Sequence, residues 1–507
     1  MYIGIDLGTC NTLCAGLNTD GTPILIPDSV FKEYLHTPSI AQISGRQALA
    51  GAMAEMAEEV YPNRVGIRYF KRHFGDGSPM YLDADGREWF AETLAAMLLK
   101  KVRFDAELFG MDTVQGAVIT VPAHFNDAQR RSVLEAAKLA DLPLLGMLDE
   151  PVAAALYYGH QAAINDQLVL IYDIGGGTFD LTLLTRSGNT LHVLAKDGIS
   201  NLGGKEFDEM IMDDMLQQCQ KTLGTLPDLT APMLSRLSRT AEKLKIASGE
   251  PGSAEWRYEW IGLGGNRMFE YAFSRQIFEE KLSAKMALTA EVLQRCLDGL
   301  GIAPDMLHKV ILVGGGAKLP YVRQYLEAKI PALQGKVDQY EPMQAIAKGA
   351  ALYASNLVNG TSSLELKSVS TYNIAIDLQQ SNHQVTEAGH YDKLILKNTP
   401  LPVSGRRTVR FLSNGQDRLR LKLVQFWDEQ GEAFDLGALT AGPFESSSTP
   451  LTFELSVENR INGTIGLKLL QNGQDVPIAF RREKSGRPYQ FSEQKAILDN
   501  VVVNNVF

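Results

Sequence analysis

Cysteine is scarce in this 507-residue chain: Cys10, Cys14, Cys219 and Cys296 are all there is, without the paired spacing of zinc ligands. Four is too few for a disulfide framework and suits a reducing compartment. Long apolar runs are missing, since no stretch approaches the ~18 uninterrupted apolar residues that a membrane helix needs. The start, Met1-Tyr2-Ile3-Gly4-Ile5-Asp6, carries no basic segment, and Asp6 interrupts its apolar run, so a secretory leader is not expected. Positive charge is in deficit, with Lys+Arg 49 against Asp+Glu 59 and a net charge of −10. That balance argues against a general binder of nucleic acid or anionic membrane. No Gly-x-x-x-x-Gly-Lys-Ser/Thr occurs, and no Gly-x-Gly-x-x-Gly follows a strand, so P-loop and Rossmann sites are excluded. What is present is ordinary for a globular protein: 45% hydrophobic and 21% charged residues. The length suits about three domain-sized units. The expectation is a cytoplasmic, multidomain protein.

Charge and periodicity change together along the chain. Residues 371–507 hold 15 Lys/Arg and 15 Asp/Glu, so the whole −10 belongs to residues 1–370. Before residue 356, β-rich runs alternate with helical stretches, the pattern of α/β architecture. Strand-like Val118-Ile119-Thr120-Val121 precedes a helical stretch over 127–142, where Asn126 and Gln129 are spaced for a capping box. After Tyr372, helical periodicity nearly vanishes. Arg418-Leu419-Arg420-Leu421-Lys422-Leu423 alternates strictly, as do Phe453, Leu455 and Val457, which predicts half-buried antiparallel strands. Asn472-Gly473 between strand-like runs is a hairpin signal, since both tolerate positive φ. A linker is expected within 358–370, around Asn359-Gly360-Thr361-Ser362-Ser363.

The first part of the chain echoes itself. Ile3-Gly4-Ile5-Asp6-Leu7-Gly8-Thr9 and Leu170-Ile171-Tyr172-Asp173-Ile174-Gly175-Gly176-Gly177-Thr178 each run from an apolar strand through an Asp to a glycine turn with a Thr. Glycines let the backbone approach a polyphosphate and aim free N–H groups at its oxygens. An Asp at each strand end supplies hard oxygen for Mg²⁺, directly or through water. Two such turns facing one cleft make a phosphate clamp with Asp6 and Asp173 about one metal; the alternative is a pair of tight hairpins. A third glycine turn, Gly314-Gly315-Gly316, follows another apolar strand and suits close approach to a nucleoside.

These motifs resemble those of the seventy-kilodalton heat-shock chaperone family (DnaK type), within the actin and sugar-kinase ATPase superfamily. The two turns match its phosphate hairpins. The runs Val121-Pro122-Ala123-His124-Phe125-Asn126-Asp127, Asp149-Glu150-Pro151-Val152-Ala153, Leu202-Gly203-Gly204-Lys205-Glu206-Phe207-Asp208 and Val313-Gly314-Gly315-Gly316-Ala317-Lys318 follow in family order. The match is weaker after the linker, where Lys397-Asn398-Thr399-Pro400-Leu401-Pro402 resembles a substrate-domain loop. The resemblance implies an α/β fold: a two-lobed actin-like ATPase domain over 1–357, a linker over 358–370, a β-sandwich peptide-binding domain over 371–490, and a short tail over 491–507 in place of a helical lid.

It also implies ATP hydrolysis to ADP, with Mg²⁺ and, as a further candidate, K⁺. Lys71 falls where the family keeps the lysine that holds the attacking water and the γ-phosphate; alone, Tyr69-Phe70-Lys71-Arg72 reads as a surface patch. Glu150 and Asp173 match the carboxylates that position water or act as base, although Glu before Pro151 also suits a helix start. Asp6 joins them, and Thr9 and Thr178 match hydroxyls at the γ-phosphate. The implied nucleotide-binding set is Gly8, Thr9, Cys10, Asn11, Gly175, Gly176, Gly177, Thr178, Gly203, Gly204, Gly314, Gly315, Gly316 and Lys318, with Glu242, Lys245 and Ser248 on the adenosine-contacting helix. Glu242 and Lys245 share a helix face at i,i+3, which is equally the pattern of a solvated helix. Three departures bear on nucleotide affinity: Cys10 replaces a threonine, Lys318 replaces an arginine that would stack as a plane, and Met343 replaces an acid. Cys10 and Cys14 are spaced for a redox switch or are simply structural thiols.

For the second domain, Ile376, Val409, Leu419 and Leu421 match the family's apolar peptide cleft, while their alternation fits a sandwich core equally. Unfolded or extended peptides, a J-domain co-chaperone and a nucleotide-exchange factor are the implied partners, with a monomeric state. A helix-like piece over 492–498 is expected to cover part of the β domain. The tail Asn500-Val501-Val502-Val503-Asn504-Asn505-Val506-Phe507 reads either as a competitor for the peptide cleft or as a final strand on the β domain. The rival functions are an actin-like filament ATPase, from the Asp-Leu-Gly-Thr-x-Asn-Thr opening at Asp6 to Thr12, and a small-molecule kinase of the same superfamily.

Overall fold

The computed structural model describes all residues except 62–63, 162–165, 227–228, 251–254, 262–267, 361–364, 384–389, 428–432, 482–488 and 505–507. The internal echo of the sequence is an architectural one. In the first lobe the sheet order is Leu144–Asp149, Gly116–Val121, Tyr2–Leu7, Asn11–Leu17, Pro23–Leu25. In the second it is Val337–Gln339, Lys309–Val313, Leu168–Ile174, Phe179–Ser187, Thr190–Ile199. In both, the first three strands run parallel and the last two turn back antiparallel. The parallel strands Gly116–Val121 and Lys309–Val313 are mostly apolar and, apart from Lys309 at the start of the second, buried, as strands covered on both faces are.

Helices Glu150–Gln161 and Ala345–Asn359 pack against each other between the sheets. Their contact needs glycine: a Cβ on Gly349 would lie 1.8 Å from the Ala153 carbonyl oxygen. The expected helix after Val121 runs Asp127–Leu139, and its capping box is formed, with the Asn126 side chain accepting from the Gln129 N–H and Gln129 reaching back. It ends three residues short of the expected 142 because Asp141 takes a positive φ.

Beyond the helix Ala345–Asn359 the linker region is not slack. Residues 361–364 lie outside the described set, but Glu365–Lys367 adds a parallel strand to the edge of the second-lobe sheet, against Thr190–His192. The β region follows as a sandwich. A five-stranded sheet (Tyr391–Ile395, Asn373–Asp377, Leu419–Phe426, Ala433–Ala441, Ile478–Arg481) faces a four-stranded one (Val403–Phe411, Leu451–Asn459, Ile465–Gln471, Gln474–Asp475). Asn472 and Gly473 both take positive φ in the expected hairpin.

The tail goes elsewhere than expected. Helix Phe491–Asp499 packs on helices Ala91–Gly110 and Asp127–Leu139 of the first lobe, with Leu498 and Val501 joining that lobe's core. Val502–Val503 then extends, parallel, the edge of strand Gln47–Ala50. The Asn504 amide completes the strand by bonding both the N–H and the carbonyl of Ala50, at 2.7 and 2.9 Å. Neither the cleft-competitor expectation nor a final strand on the β domain holds for residues up to 504. Leu498 and Val501 find an apolar slot in the first lobe, and an open strand edge lies beside it. Residues 505–507 lie outside the described set.

Candidate active site

The two glycine turns open on a cavity of about 400 Å³ between the lobes. Its walls include Asp6, Gly8, Thr9, Cys10 and Asn11 from the first turn, and Asp173, Gly175, Gly176 and Thr178 from the second. Gly204, Glu242, Lys245, Gly314, Gly315, Gly316 and Lys318 close the far side, beside Met343. Gly177 and Gly203 sit one layer behind. A Cβ on Gly203 would approach the Gly177 and Thr178 amides at 2.8 and 2.9 Å, so glycine lets the turn pack tightly. Ser248 is the exception. It is buried, its hydroxyl donates to the Lys245 carbonyl at 2.7 Å, and it does not face the cavity, because the last turn of the helix uses that hydroxyl itself.

At the floor, the short helical turn Phe70–His73 buries Lys71, whose ammonium meets Glu150 at 2.5 Å and lies 5.7 Å from the Phe125 ring centre. The surface-patch alternative for Lys71 is thereby excluded. Four buried acids, Asp6, Glu150, Asp173 and Asp180, act on one another around this single ammonium. Burial pushes the Glu150 carboxyl up to about 7, with Asp6 and Asp180 adding to the rise and Lys71 opposing it. Burial raises Asp6 to about 6 against the pull of Lys71 and the Thr120 hydroxyl. Asp173 rises well above the ordinary range, through burial and then Glu150, and neither of its oxygens has a hydrogen-bond partner. Buried carboxylates left so exposed to one another ask for a cation.

Mg²⁺ meets that demand. Among the described residues no three acidic, imidazole or thiol groups converge as a ready-made cage. Mg²⁺ prefers one or two carboxylates with waters and phosphate oxygens to an all-protein cage, and Asp173 with Asp6 offers that donor set. Cys10 lies with its sulfur 4.0 Å from the Gly176 carbonyl oxygen, and burial pushes its thiol up to about 12. A thiol held protonated is a poor redox switch, and all four cysteines are free.

Three groups were missed in the sequence. Arg72 crosses from the first lobe to make a two-pronged ion pair with Glu206 (2.7 and 2.8 Å) and to donate to the Gly177 carbonyl at 2.8 Å. The Lys71-Arg72 pair was its only signal. His124 bonds Asp180 at 2.9 Å through its ring. Asp208 pairs with Lys245 at 2.7 Å, and burial lifts its carboxyl to about 7. The lobes also touch across the cleft mouth, where buried Glu58 accepts from Arg68 at 2.8 Å and from Ser235 of the opposite lobe at 2.5 Å.

The site is wired to the β domain. Asp149, the residue before Glu150, pairs with Arg130 (2.9 Å) and Lys196 (2.6 Å), which hold its carboxyl low against the effect of burial. Arg130 also donates to the Asn462 carbonyl at 3.1 Å, and Lys196 to Ser368 at 2.7 Å. Asp127 and Gln425 bond across the same interface at 3.0 Å, and the Tyr372 hydroxyl donates to the His124 carbonyl. The four residues expected to line a peptide cleft are not on a surface. Ile376, Val409, Leu419 and Leu421 are each 0% exposed in the sandwich core, because their alternating face is the one the two sheets share.

Two duplicated lobes closing on a cavity of about 400 Å³, followed by a β-sandwich, give the architecture of an actin-like ATPase domain joined to a substrate domain. A family model described as Hsp70 protein matches residues 2–432. The chain belongs to the Hsp70 family, whose members are ATP-dependent chaperones that bind nucleotide with Mg²⁺, unfolded peptides and co-chaperones. Among the described residues, no helix is long and apolar enough to cross a membrane.

Proposed function

We propose that this chain hydrolyses ATP to ADP in the interlobe cavity and uses the nucleotide state to govern binding of extended, unfolded peptides. The observation that carries the reading is the buried Lys71–Glu150 pair beside Asp173, whose two carboxylate oxygens are unpartnered between two phosphate turns. In this scheme the amides of 8–11 and 175–178 cradle the phosphates, with Thr9 and Thr178 at the γ-phosphate. Asp173 and Asp6 would hold Mg²⁺, which would supply charge neutralisation at the phosphates. Lys71 stabilises charge on the transferred group, and Glu150, with a carboxyl near 7, is poised to take the proton of the attacking water. Glu242 and Lys245 flank the ribose and Lys318 the base.

Coupling follows from the wiring: a shift of Glu150 moves Asp149, and through Arg130 and Lys196 both the β domain and the strand Glu365–Lys367. The domain division 1–357, 358–370 and 371–490 suits that scheme, with a J-domain protein and an exchange factor as expected partners. Peptide binding is assigned to the β domain as a whole and not to its four buried core residues. The test is Mg²⁺-dependent phosphate release. Lys71→Ala should bind ATP yet lose turnover by orders of magnitude, while wild-type rates in a folded Lys71→Ala protein would remove Lys71 from the chemistry.

A further inference from the structure

The loop over 28–36 borders the cleft on the first-lobe side, and it is built. Asp28 Oδ1 accepts from the Val30 and Phe31 N–H groups at 2.8 and 3.0 Å, and its Oδ2 takes the buried Lys101 ammonium at 2.7 Å. The Asp28 N–H donates to the Tyr34 carbonyl at 2.9 Å, which closes the loop on itself. Its exit, Thr37–Pro38, pairs with Asn11–Thr12 directly beside the first phosphate turn. The loop tip is thereby held at the cavity, where Leu35 and His36 form part of the wall.

The opposite wall carries Glu242 and Lys318, and both act on the His36 ring. Lost hydration lowers the His36 pKa, Glu242 opposes that shift and Lys318 adds to it, so the imidazole is neutral at pH 7. The ring remains accessible, with the Tyr34 ring 5.8 Å away as its support. A neutral aromatic plane and a leucine thus face a lysine stem, Ile246 and Met343 across a cavity that continues the phosphate cleft. Lys318 has charge but no plane, so the only aromatic surface among the described cavity walls is on the first lobe. Base-sized heteroaromatics are held by such planes.

We propose that His36, with Leu35 beside it, is the first-lobe wall of the nucleoside site and stacks on the base of the bound nucleotide. This inference rests on the nucleotide reading above and adds a specificity-determining residue to it. Its consequence is that both lobes grip the base as well as the phosphates.

The test uses the full chain, with ATP and inorganic tripolyphosphate as calorimetric probes in Mg²⁺. His36→Ala should weaken ATP binding roughly tenfold, as expected for loss of one base stack. His36→Phe, which keeps the plane, should stay within about twofold of wild type. Tripolyphosphate, having no base, should bind all three proteins alike. Unchanged ATP affinity in His36→Ala, with wild type binding normally, overturns the inference and leaves the nucleotide reading standing. Equal losses for ATP and tripolyphosphate also overturn it, because the loop would then act on the phosphates. Failure of the wild-type protein to bind ATP at all overturns both.

Discussion

The C-terminal part of the chain is held to the two lobes by contacts of two different kinds. One is a buried charge relay, in which Asp149 bonds Arg130 and Lys196 and these reach Asn462 and Ser368. The other is apolar and strand-like, in which Leu498 and Val501 fill the first-lobe core and Val502–Val503 extends its edge. Apolar burial is non-directional, so the tail contributes strength without information about the cleft. A buried ion pair contributes little net stability but is unforgiving of a missing partner. Because Asp149 adjoins Glu150, the relay is the attachment that can report on the interlobe cavity.

The sharpest way to break the comparison is to remove Asp149. Asp149→Ala leaves two buried cations facing each other and should cost about 3–5 kcal/mol. Denaturant titration reads that loss, and proteolysis in the linker should become fast. If stability and linker protection stay at wild-type levels, the relay is not an attachment at all. Leu498→Ala attacks the other side. A fully buried leucine lost from a core costs about 2–5 kcal/mol. Melting temperature should fall while ATP turnover per folded molecule is unchanged, and a parallel fall in turnover would show that the tail also informs the site.

Acidity separates the two further. Glu150 is raised from 4.5 to about 7 in the folded chain, so the folded state keeps a proton that the unfolded chain releases. Its contribution to stability is therefore full below pH 4.5 and is lost as pH rises toward 7. Asp149, lowered from 3.8, runs the other way: its contribution is present above 3.8 and lost on acidification. Stability of the nucleotide-free protein should decline across pH 4.5–7, and the decline should be shallower in Glu150→Gln without vanishing, because Asp6 and Asp208 are raised over the same range. The stability lost in Leu498→Ala should be the same at both ends of that range. An equally steep decline in Glu150→Gln would place the titration elsewhere. The smallest expected effect is at the strand end, where Asn504→Ala removes two side-chain bonds to Ala50 and should cost about 1–2 kcal/mol by thermal melting.

The same contrast explains what could be read in advance. The Asn126–Gln129 capping box, the Asn472-Gly473 hairpin and the glycine turns are local: backbone freedom and side-chain reach over three or four residues fix them. Site residues on those turns were legible for that reason. Ser248 was not, because a serine at a helix end can face out or bond its own carbonyls, and only packing chooses. Arg72 and His124 were missed because their partners, Glu206 and Asp180, lie 134 and 56 residues away.

The duplicated strand–turn–strand units, the β region after residue 370 and the acidic, glycine-lined character of the cleft are all written in the residues. Each is a short-range pattern with one physical meaning. What covers the apolar face of the β region came from packing, since alternation marks a strand with two unlike faces and does not say whether a second sheet or a peptide lies over the apolar one. The same holds for Val502–Val503, whose β-branched side chains suit any open edge. That edge is Gln47–Ala50, and it was settled by the slot that Leu498 and Val501 fill beside it.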